Sequence, residues 1–467
     1  MPGSDQLDGY DEETREQIAG MIAAENRALA RARQERENCD CKAGMFPNPD
    51  RRAVLLAGAA AVAATSLADP ARAQQRKPPA GAVWRDVPED PTKFPGTPID
   101  EDGGYGSRSQ FATETRWRFP TPTTLSSWTM TPLDKSVGII TPSGLHFERH
   151  HGGIPTIDPA RHFLFVHGMV ERPKKLSMAD LMRVPSVSRI CFIECSGNGL
   201  TEWRKPTLKT VQGTHGLLST SEWTGVQFAT IAREVGLKDG AAWVLAEGAD
   251  SAVMTRSIPL EKLLTDGIIA YGQNGEALRP EQGFPLRLLL PGWEGNTHIK
   301  WLRRLEVSDK PFMTREETSK YTDLLPSGKA RQFTFSMEAK SVITFPSGEM
   351  KLPGPGFYEV SGLAWSGRGK IARVEISIDG GRTWLLAALQ EPALPIAATR
   401  FRFPWVWAGE PAILQSRATD ETGYVQPTLK QLVEIRGLAG PFGSVYHLNA
   451  IQSWAVAADG SVSNVHA

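Results

Sequence analysis

The chain has 467 residues and a formal net charge of +0, with 52 Lys+Arg balancing 52 Asp+Glu. That balance excludes a polyanion-binding surface, so no nucleic-acid partner is expected, and the length leaves room for about three domains. Abundant turn formers (44 Gly, 34 Pro) together with 13 Trp point to loops and turns on a β-rich frame.

Residues 1–73 read as a leader and export signal outside that frame. A charged, Ala-rich stretch over 11–37 precedes Cys39-Asp40-Cys41, and either Met1 or Met45 serves as the start. Arg51-Arg52 opens an uncharged segment that runs to Leu67, and Ala71-Arg72-Ala73 supplies a small-x-small cleavage site. Paired arginines before a weakly apolar segment are the pattern of a twin-arginine signal, which carries folded proteins to the periplasm. The segment 53–68 falls short of the ~20 residues that span a bilayer, so no stable membrane insertion is expected, though a membrane-retained signal stays open. Export in the folded state implies a cofactor inserted beforehand. Cleavage leaves Cys191 and Cys195, which lie too close along an extended approach to pair. In an oxidising compartment such thiols need burial or a metal to protect them.

Residues 74–117 read as an irregular arm, and 118–309 as an α+β domain. Within it, 161–168 alternates like a strand, and 177–184 reads as a short helix capped by Ser177 with Asp180 three positions on. Residues 225–236 show helical periodicity with a Gly stop, and 284–291 reads as a buried strand interrupted by Arg287. Residues 310–326 read as a linker. Short alternating strands then follow at 357–364, 372–379 and 400–407, with Asp379-Gly380-Gly381 as a hairpin signal. Residues 327–439 are therefore expected to form an immunoglobulin-like β-sandwich with Trp365, Trp384 and Trp407 in its core. Residues 440–467 read as a C-terminal tail whose Ile451-Gln452-Ser453-Trp454 could dock on another surface.

The most informative stretch is Arg189-Ile190-Cys191-Phe192-Ile193-Glu194-Cys195-Ser196-Gly197-Asn198-Gly199. An apolar, extended approach delivers Cys195 to a Ser-Gly-Asn turn, which holds a side chain at a strand end with open space above it. A thiolate there is a soft ligand for a transition metal. A lone cysteine could equally be a small buried hydrophobe; its company decides for the metal.

With these residues the chain resembles the sulfite oxidase family of molybdopterin enzymes over nearly all of residues 118–437. Cys195-Ser196-Gly197-Asn198 is similar to the family turn that supplies the sole protein ligand to molybdenum. Phe147-Glu148-Arg149-His150-His151, with Pro155 beyond, resembles its Phe-x-Arg-x-His segment. Gly283-Phe284-Pro285-Leu286-Arg287, Pro291-Gly292 and Lys300-Trp301-Leu302 resemble a third segment. The resemblance implies a molybdopterin-binding catalytic domain followed by a sandwich dimerisation domain, with a molybdenum–molybdopterin cofactor held by Cys195. By the same token Arg149 would face an anionic substrate beside the metal. Arg287, His151 and Lys300 would hold the cofactor's phosphate and pterin, as suits a planar fork, an imidazole donor and a point charge. Surface or snorkelling roles stay open for these three, and His298 is open between cofactor contact and plain wall residue. His215 is a candidate proton relay, with a backbone-bonded loop histidine as the other reading.

Three departures bear on substrate. Where sulfite oxidases carry a second active-site arginine, a tyrosine and a histidine, this chain has Leu200, Met254 and Gln282, with Arg256 as a candidate compensation. Charge-assisted hydrogen bonds are worth about 1.5–3 kcal/mol each, so a small dianion is poorly served. Within the family the pattern resembles the sulfane dehydrogenase (SoxC) branch, through Ser196-Gly197-Asn198-Gly199, Gly213-Thr214-His215-Gly216-Leu217, Ser221-Glu222-Trp223-Thr224-Gly225 and Asn449-Ala450-Ile451-Gln452-Ser453-Trp454. That branch implies oxygen-atom transfer to a sulfane sulfur on a carrier-protein cysteine, within thiosulfate oxidation. The sequence has no Cys-x-x-Cys-His motif, so no haem is expected in this chain, and a c-type cytochrome subunit is the expected acceptor. A homodimer within a heterotetramer follows from the resemblance, with the tail a candidate cytochrome-docking element. Three rivals stay open: a sulfite dehydrogenase subunit, a methionine-sulfoxide-type reductase, and a binding protein that has lost its cofactor.

Overall fold

The computed structural model describes residues 105–119, 125–319, 321–438 and 447–466. The leader, the signal, Cys39 and Cys41 lie outside the described residues. All elements below belong to the compact unit Arg108–Ala467.

The fold is α+β in its first half and a two-sheet sandwich in its second. One catalytic sheet runs in the order Glu276–Ala277, Ile268–Gln273, Leu218–Gln227, Ser186–Glu194, with Arg287–Leu289 also paired to Ile268–Gln273. The other runs Lys174–Ser177, Phe163–Gly168, Leu302–Ser308, Trp243–Gly248, Thr255–Pro259. Leu164, Val166, Val226, Phe228, Val244, Ile258, Leu288 and Leu305 close the core between them. The helix Met178–Met182 starts where the sequence pattern puts it, with a reciprocal capping box between Ser177 and Asp180. The helix expected from Gly225 begins only at Phe228, because residues up to Gln227 complete a ten-residue strand. Pairing on both sides of that strand outweighs its helical periodicity.

The strand Ser186–Glu194 shows why Cys195 sits where it does. Its first half is largely exposed, while Cys191, Phe192, Ile193 and Glu194 are all buried. Side chains alternate across a strand. Phe192 accordingly enters the sandwich core, and Cys191 and Ile193 enter a second cluster with Phe147, Trp223 and Leu289. Burying Phe192 contributes about 2–3 kcal/mol and pins the strand's end between two domains. A small third sheet, Trp117–Phe119, Ser127–Met130 and Glu148–His150, sets Trp128 opposite Arg149.

The sandwich has one sheet of Lys340–Phe345, Gly356–Trp365, Thr399–Trp407 and Ala388–Gln390. Its second sheet holds Leu385–Leu386, Ile371–Ser377, Ala412–Asp420, Ser453–Val456 and Val462–Val465. Trp365 and Trp407 are core residues, whereas Trp384 is half-exposed with Arg417 stacked 4.3 Å from its ring centroid. Two further expectations need correction. Residues 310–326 are no plain linker: they carry the helix Arg315–Ser319 and the strand Asp323–Leu324, with Glu316 and Glu317 buried. The segment expected as a docking tail instead supplies two sandwich strands. Trp454 is fully buried and donates its indole N–H to the Ile343 carbonyl at 3.1 Å. Alternating burial over so short a stretch gave too little signal against its polar neighbours.

Candidate active site

The turn after Glu194 is built from hydrogen bonds rather than packing. The Asn198 N–H donates to the Cys195 carbonyl at 2.9 Å, and the Cys195 N–H donates to the Leu217 carbonyl at 3.0 Å. The Asn198 side chain works in both directions. Its Oδ1 accepts the Leu217 N–H at 3.1 Å, and its Nδ2 donates to Glu194 Oε1 at 2.9 Å. Gly199 adopts φ +89°, a conformation glycine takes without strain. The loop at 294–297 presses against this turn: a Cβ on Gly295 would lie 2.8 Å from the Glu194 carbonyl oxygen. Cys195 and Cys191 are both free thiols.

Cys195 opens into a cavity. The same cavity is lined by Arg149, His151, Arg287, His298 and Lys300, five of the residues singled out in the sequence, together with Met254 and Gln282. Burial pushes the Cys195 thiol above its ordinary range, with Arg149 and the Gly197 N–H acting in the opposite direction. A bound cation would have to displace that proton. Arg149 is held from below by Ser126 at 3.3 Å, by the ring of Trp128 at 5.2 Å and by the His150 carbonyl, and it reaches His151 Nδ1 at 3.2 Å.

Arg287 is buried. It donates to the Gln282 carbonyl at 2.9 Å and to the His298 carbonyl at 3.4 Å, and it lies 4.8 Å from the ring centroid of Trp223. Lys300 donates to the Glu281 carbonyl at 2.9 Å beside Trp301, whose backbone sits at φ 53°, strained for a bulky residue. Burial, then the charge of Arg287, draws Lys300 down to about 7. His298 has both ring nitrogens committed, Nδ1 accepting from the Leu290 N–H at 3.3 Å and Nε2 donating to the Trp293 carbonyl at 3.1 Å. Desolvation holds it neutral, down to about 3. It is thus a wall residue presenting its ring rather than a donor to a ligand.

His215 departs from expectation. It is fully buried, bonds Thr214 Oγ1 at 2.8 Å, and does not line the cavity. Burial holds its imidazole neutral, and its place behind the lining rather than in it gives no support to a proton relay there. Leu200 also turns away, joining Trp203, Leu432 and Leu448 in a separate apolar cluster. Arg256 is fully buried behind the cavity, 3.4 Å from Glu317 and 5.1 Å from the ring centroid of Tyr321, and it donates to Asn296. It braces lining residues and does not line the cavity itself.

Four lining residues escaped the sequence reading. His146 is buried, stacks on Phe147, and burial draws it down to about 3. Asp250 accepts the Met254 N–H at 3.2 Å and so sets the loop that presents Met254. Asn296 donates to Ser196 Oγ at 3.2 Å and to Glu294 at 2.9 Å, and burial pushes the Glu294 carboxyl up to about 8. Tyr321 lies close enough to Cys195 and Arg149 to feel their charge, and burial raises its hydroxyl so that it stays protonated. It came from the stretch read as a linker, where a single tyrosine among polar residues gives no signal.

Two buried nitrogens in this lining, Nε2 of His146 and Nε of Arg287, have no hydrogen-bond partner. Buried polar groups are nearly always satisfied, so such atoms ask for a ligand. A soft sulfur, a pair of basic side chains, an unsatisfied guanidinium donor and an unsatisfied imidazole acceptor in one cavity suit a molybdopterin, which brings a metal, a phosphate and a polar pterin.

Residues 151–316 match the oxidoreductase molybdopterin binding domain, and residues 331–453 match the Mo-co oxidoreductase dimerisation domain. The sulfite oxidase of Gallus gallus is 30% identical over 338 residues, covering 66% of this chain and 72% of that protein. This chain belongs to the sulfite oxidase family of molybdopterin enzymes. The mitochondrial sulfite oxidase of Mus musculus is 31% identical over 64% of this chain and 60% of that protein. An NADH nitrate reductase of Ulva prolifera is 33% identical over 53% of this chain but only 32% of that protein, so the chain spans about a third of its length. The crystal structure of the sulfane dehydrogenase SoxCD from Paracoccus pantotrophus is 43% identical, with a TM-score of 0.72, covering 85% of this chain and 99% of that one. As a sulfite oxidase family member, the chain carries a molybdopterin-binding domain, and Cys195 lies within it.

The state of Lys300 gives a prediction. Above about pH 7 the cofactor-free chain holds Lys300 neutral. An anion bound beside it restores the proton, so binding must take one up. Affinity for inorganic pyrophosphate, an anion that probes the cavity beside Arg287 and Lys300, should fall as pH rises from about 7, by up to about tenfold per unit. Calorimetric titration across that range is the measurement, and Lys300→Met should flatten the dependence.

Proposed function

We propose that this chain is the molybdenum-bearing subunit of a periplasmic sulfane dehydrogenase, acting on a sulfane sulfur carried by a partner protein's cysteine. Electrons would pass to a c-type cytochrome. The observation that carries this reading is the wall beside Cys195: Met254 lines it, while Leu200 is turned into an apolar cluster and Arg256 is sealed behind Tyr321. A thioether at that wall, with no further arginine beside it among the described residues, suits a sulfur of low charge better than a free dianion, whose desolvation must be met by charged donors. The 43% identity to a sulfane dehydrogenase supports the same branch.

When bound, molybdopterin supplies a metal centre that moves an oxygen atom derived from water onto sulfur and takes up two electrons. Cys195 would hold that centre. Arg287, Lys300 and the free nitrogens of His146 and Arg287 would take the phosphate and pterin. Arg149 orients the substrate and offsets negative charge as it grows on the oxidised sulfur. Tyr321, kept protonated by burial, would donate within the same cavity, with Arg256 against its ring. Access is through an adjoining vestibule that shares His151 and Tyr321 with the cavity and is walled by Leu125, Ser251 and Arg315. A side chain on a carrier can enter there without the carrier itself being engulfed.

The second half carries the dimerisation module, and homodimerisation is part of this reading. Phe357 and Val406, cross-strand partners on its outer face, are 67% and 77% exposed, as befits a surface awaiting cover. A sulfite dehydrogenase is the second reading, favoured by Arg149 and Tyr321 flanking the ligand position as an anion-binding pair. Steady-state cytochrome c reduction decides between them. Rapid turnover with a persulfidated carrier and little with sulfite is expected; the reverse order would establish the sulfite enzyme.

A further inference from the structure

The turn that carries Cys195 does not rest on its own domain. Lys340 comes from the first strand of the sandwich, yet its ammonium lies 2.9 Å from Glu194 Oε1 and donates to the Asn198 carbonyl at 3.0 Å. Both charged side chains are 0% exposed. Trp365, the register partner of Lys340 on the next strand, donates its indole N–H to Glu194 Oε2 at 2.7 Å. The carboxylate also accepts from Asn198 Nδ2 at 2.9 Å. One sandwich hairpin therefore grips the residue immediately before Cys195 and the residue that closes its turn.

Stability alone does not account for this arrangement. Taking a lysine and a glutamate out of water costs several kcal/mol per ion, and an apolar pair of similar volume usually serves a core as well or better. What an ion pair adds here is direction. Glu194 cannot rotate without losing the ammonium, the indole and the amide together, and Asn198 is tied by its carbonyl and by both ends of its side chain. The one residue of the turn left to face the cavity at its apex is Cys195. Partners behind a ligand set its orientation and donor strength, and so tune the metal.

We propose that Lys340 is a positioning residue for the Cys195 ligand, acting from the C-terminal sandwich through Glu194 and Asn198. Lys340 does not line the cavity. The sandwich is then part of the metal site as well as a dimerisation module. The proposal rests on Cys195 being the metal ligand, and the experiment separates the two claims.

The test uses the full, molybdenum-loaded chain with Lys340→Met, Lys340→Arg and Trp365→Phe. Trp365→Phe keeps both charges and removes only one donor to Glu194, so it remains informative if Lys340→Met fails to fold. The readouts are metal content, the thiolate-to-metal absorption band and the metal's midpoint potential. The parent should show a band that Cys195→Ser abolishes; if it does not, the ligand assignment fails and the proposal with it. With that band present, Trp365→Phe should shift both band and potential at near-parental metal content. Lys340→Met should shift them further in the same direction, and Lys340→Arg should lie closer to the parent. Parental band and potential in Trp365→Phe and in every Lys340 variant that folds would reduce the network to scaffolding and overturn the proposal.

Discussion

Cys195→Ser should purify as a folded protein that has lost its chemistry. The side chain lines a cavity and is only partly buried at the edge of a core cluster, so an isosteric change should alter stability by no more than about 1 kcal/mol. Its effect on turnover should be far larger. Losing a partner behind a metal ligand commonly costs 10–100-fold, so losing the ligand should cost at least about 100-fold with any sulfur substrate. Hydroxyl for thiol preserves the turn, because the hydrogen bonds that shape it come from backbone, from Asn198 and Glu194, and from Lys340 and Trp365 behind them. Paired melting and cytochrome-reduction measurements separate these effects. A variant that melts like the parent and turns over like the parent would remove Cys195 from the site.

The largest stability effect is expected away from the metal, at Glu317. Its carboxylate is 0% exposed, lies 3.4 Å from the equally buried Arg256, and accepts from the Ser257 hydroxyl and the Thr314 N–H, both at 3.0 Å. Glu317→Ala strands a buried guanidinium, which should cost about 3–5 kcal/mol. In a chain of this size that lowers the melting temperature by on the order of 10 °C. Because Arg256 also braces Tyr321 and Asn296, both in the cavity lining, kcat should fall in the folded fraction as well. Thermal unfolding checks the first claim. A melting temperature within about 2 °C of the parent would show that Arg256 does not depend on Glu317.

That second site marks where the sequence stopped being readable. Local patterns were strong where one signal sufficed: the Ser177 cap, the alternating strands of the sandwich, and the cysteine at the end of an apolar approach. The α+β-then-sandwich order and five cavity-lining residues, Arg149, His151, Cys195, Arg287 and Lys300, were legible from motifs with their own chemistry. What escaped depends on long-range placement. Glu317 and Tyr321 lie in a polar stretch that has no periodicity, and only tertiary contact buries them. Trp454 looked like a tail aromatic because its strand is too short to show its alternation. His215 and His298 were drawn to the site by residue type, yet burial makes both neutral, and the Thr214 hydroxyl on one and backbone groups on the other decide their roles. Lys340 gave no hint at all, since a lysine at the start of a strand reads as solvent-facing until the partner domain is in place.

X-ray absorption at the molybdenum edge is the most direct test of the whole account. Between the loaded parent and Cys195→Ser, the metal is expected to lose one sulfur neighbour while its remaining sulfur neighbours are unchanged. An identical sulfur shell in the two proteins would mean that position 195 does not bind the metal, and the reading of this chain would have to be rebuilt from another ligand.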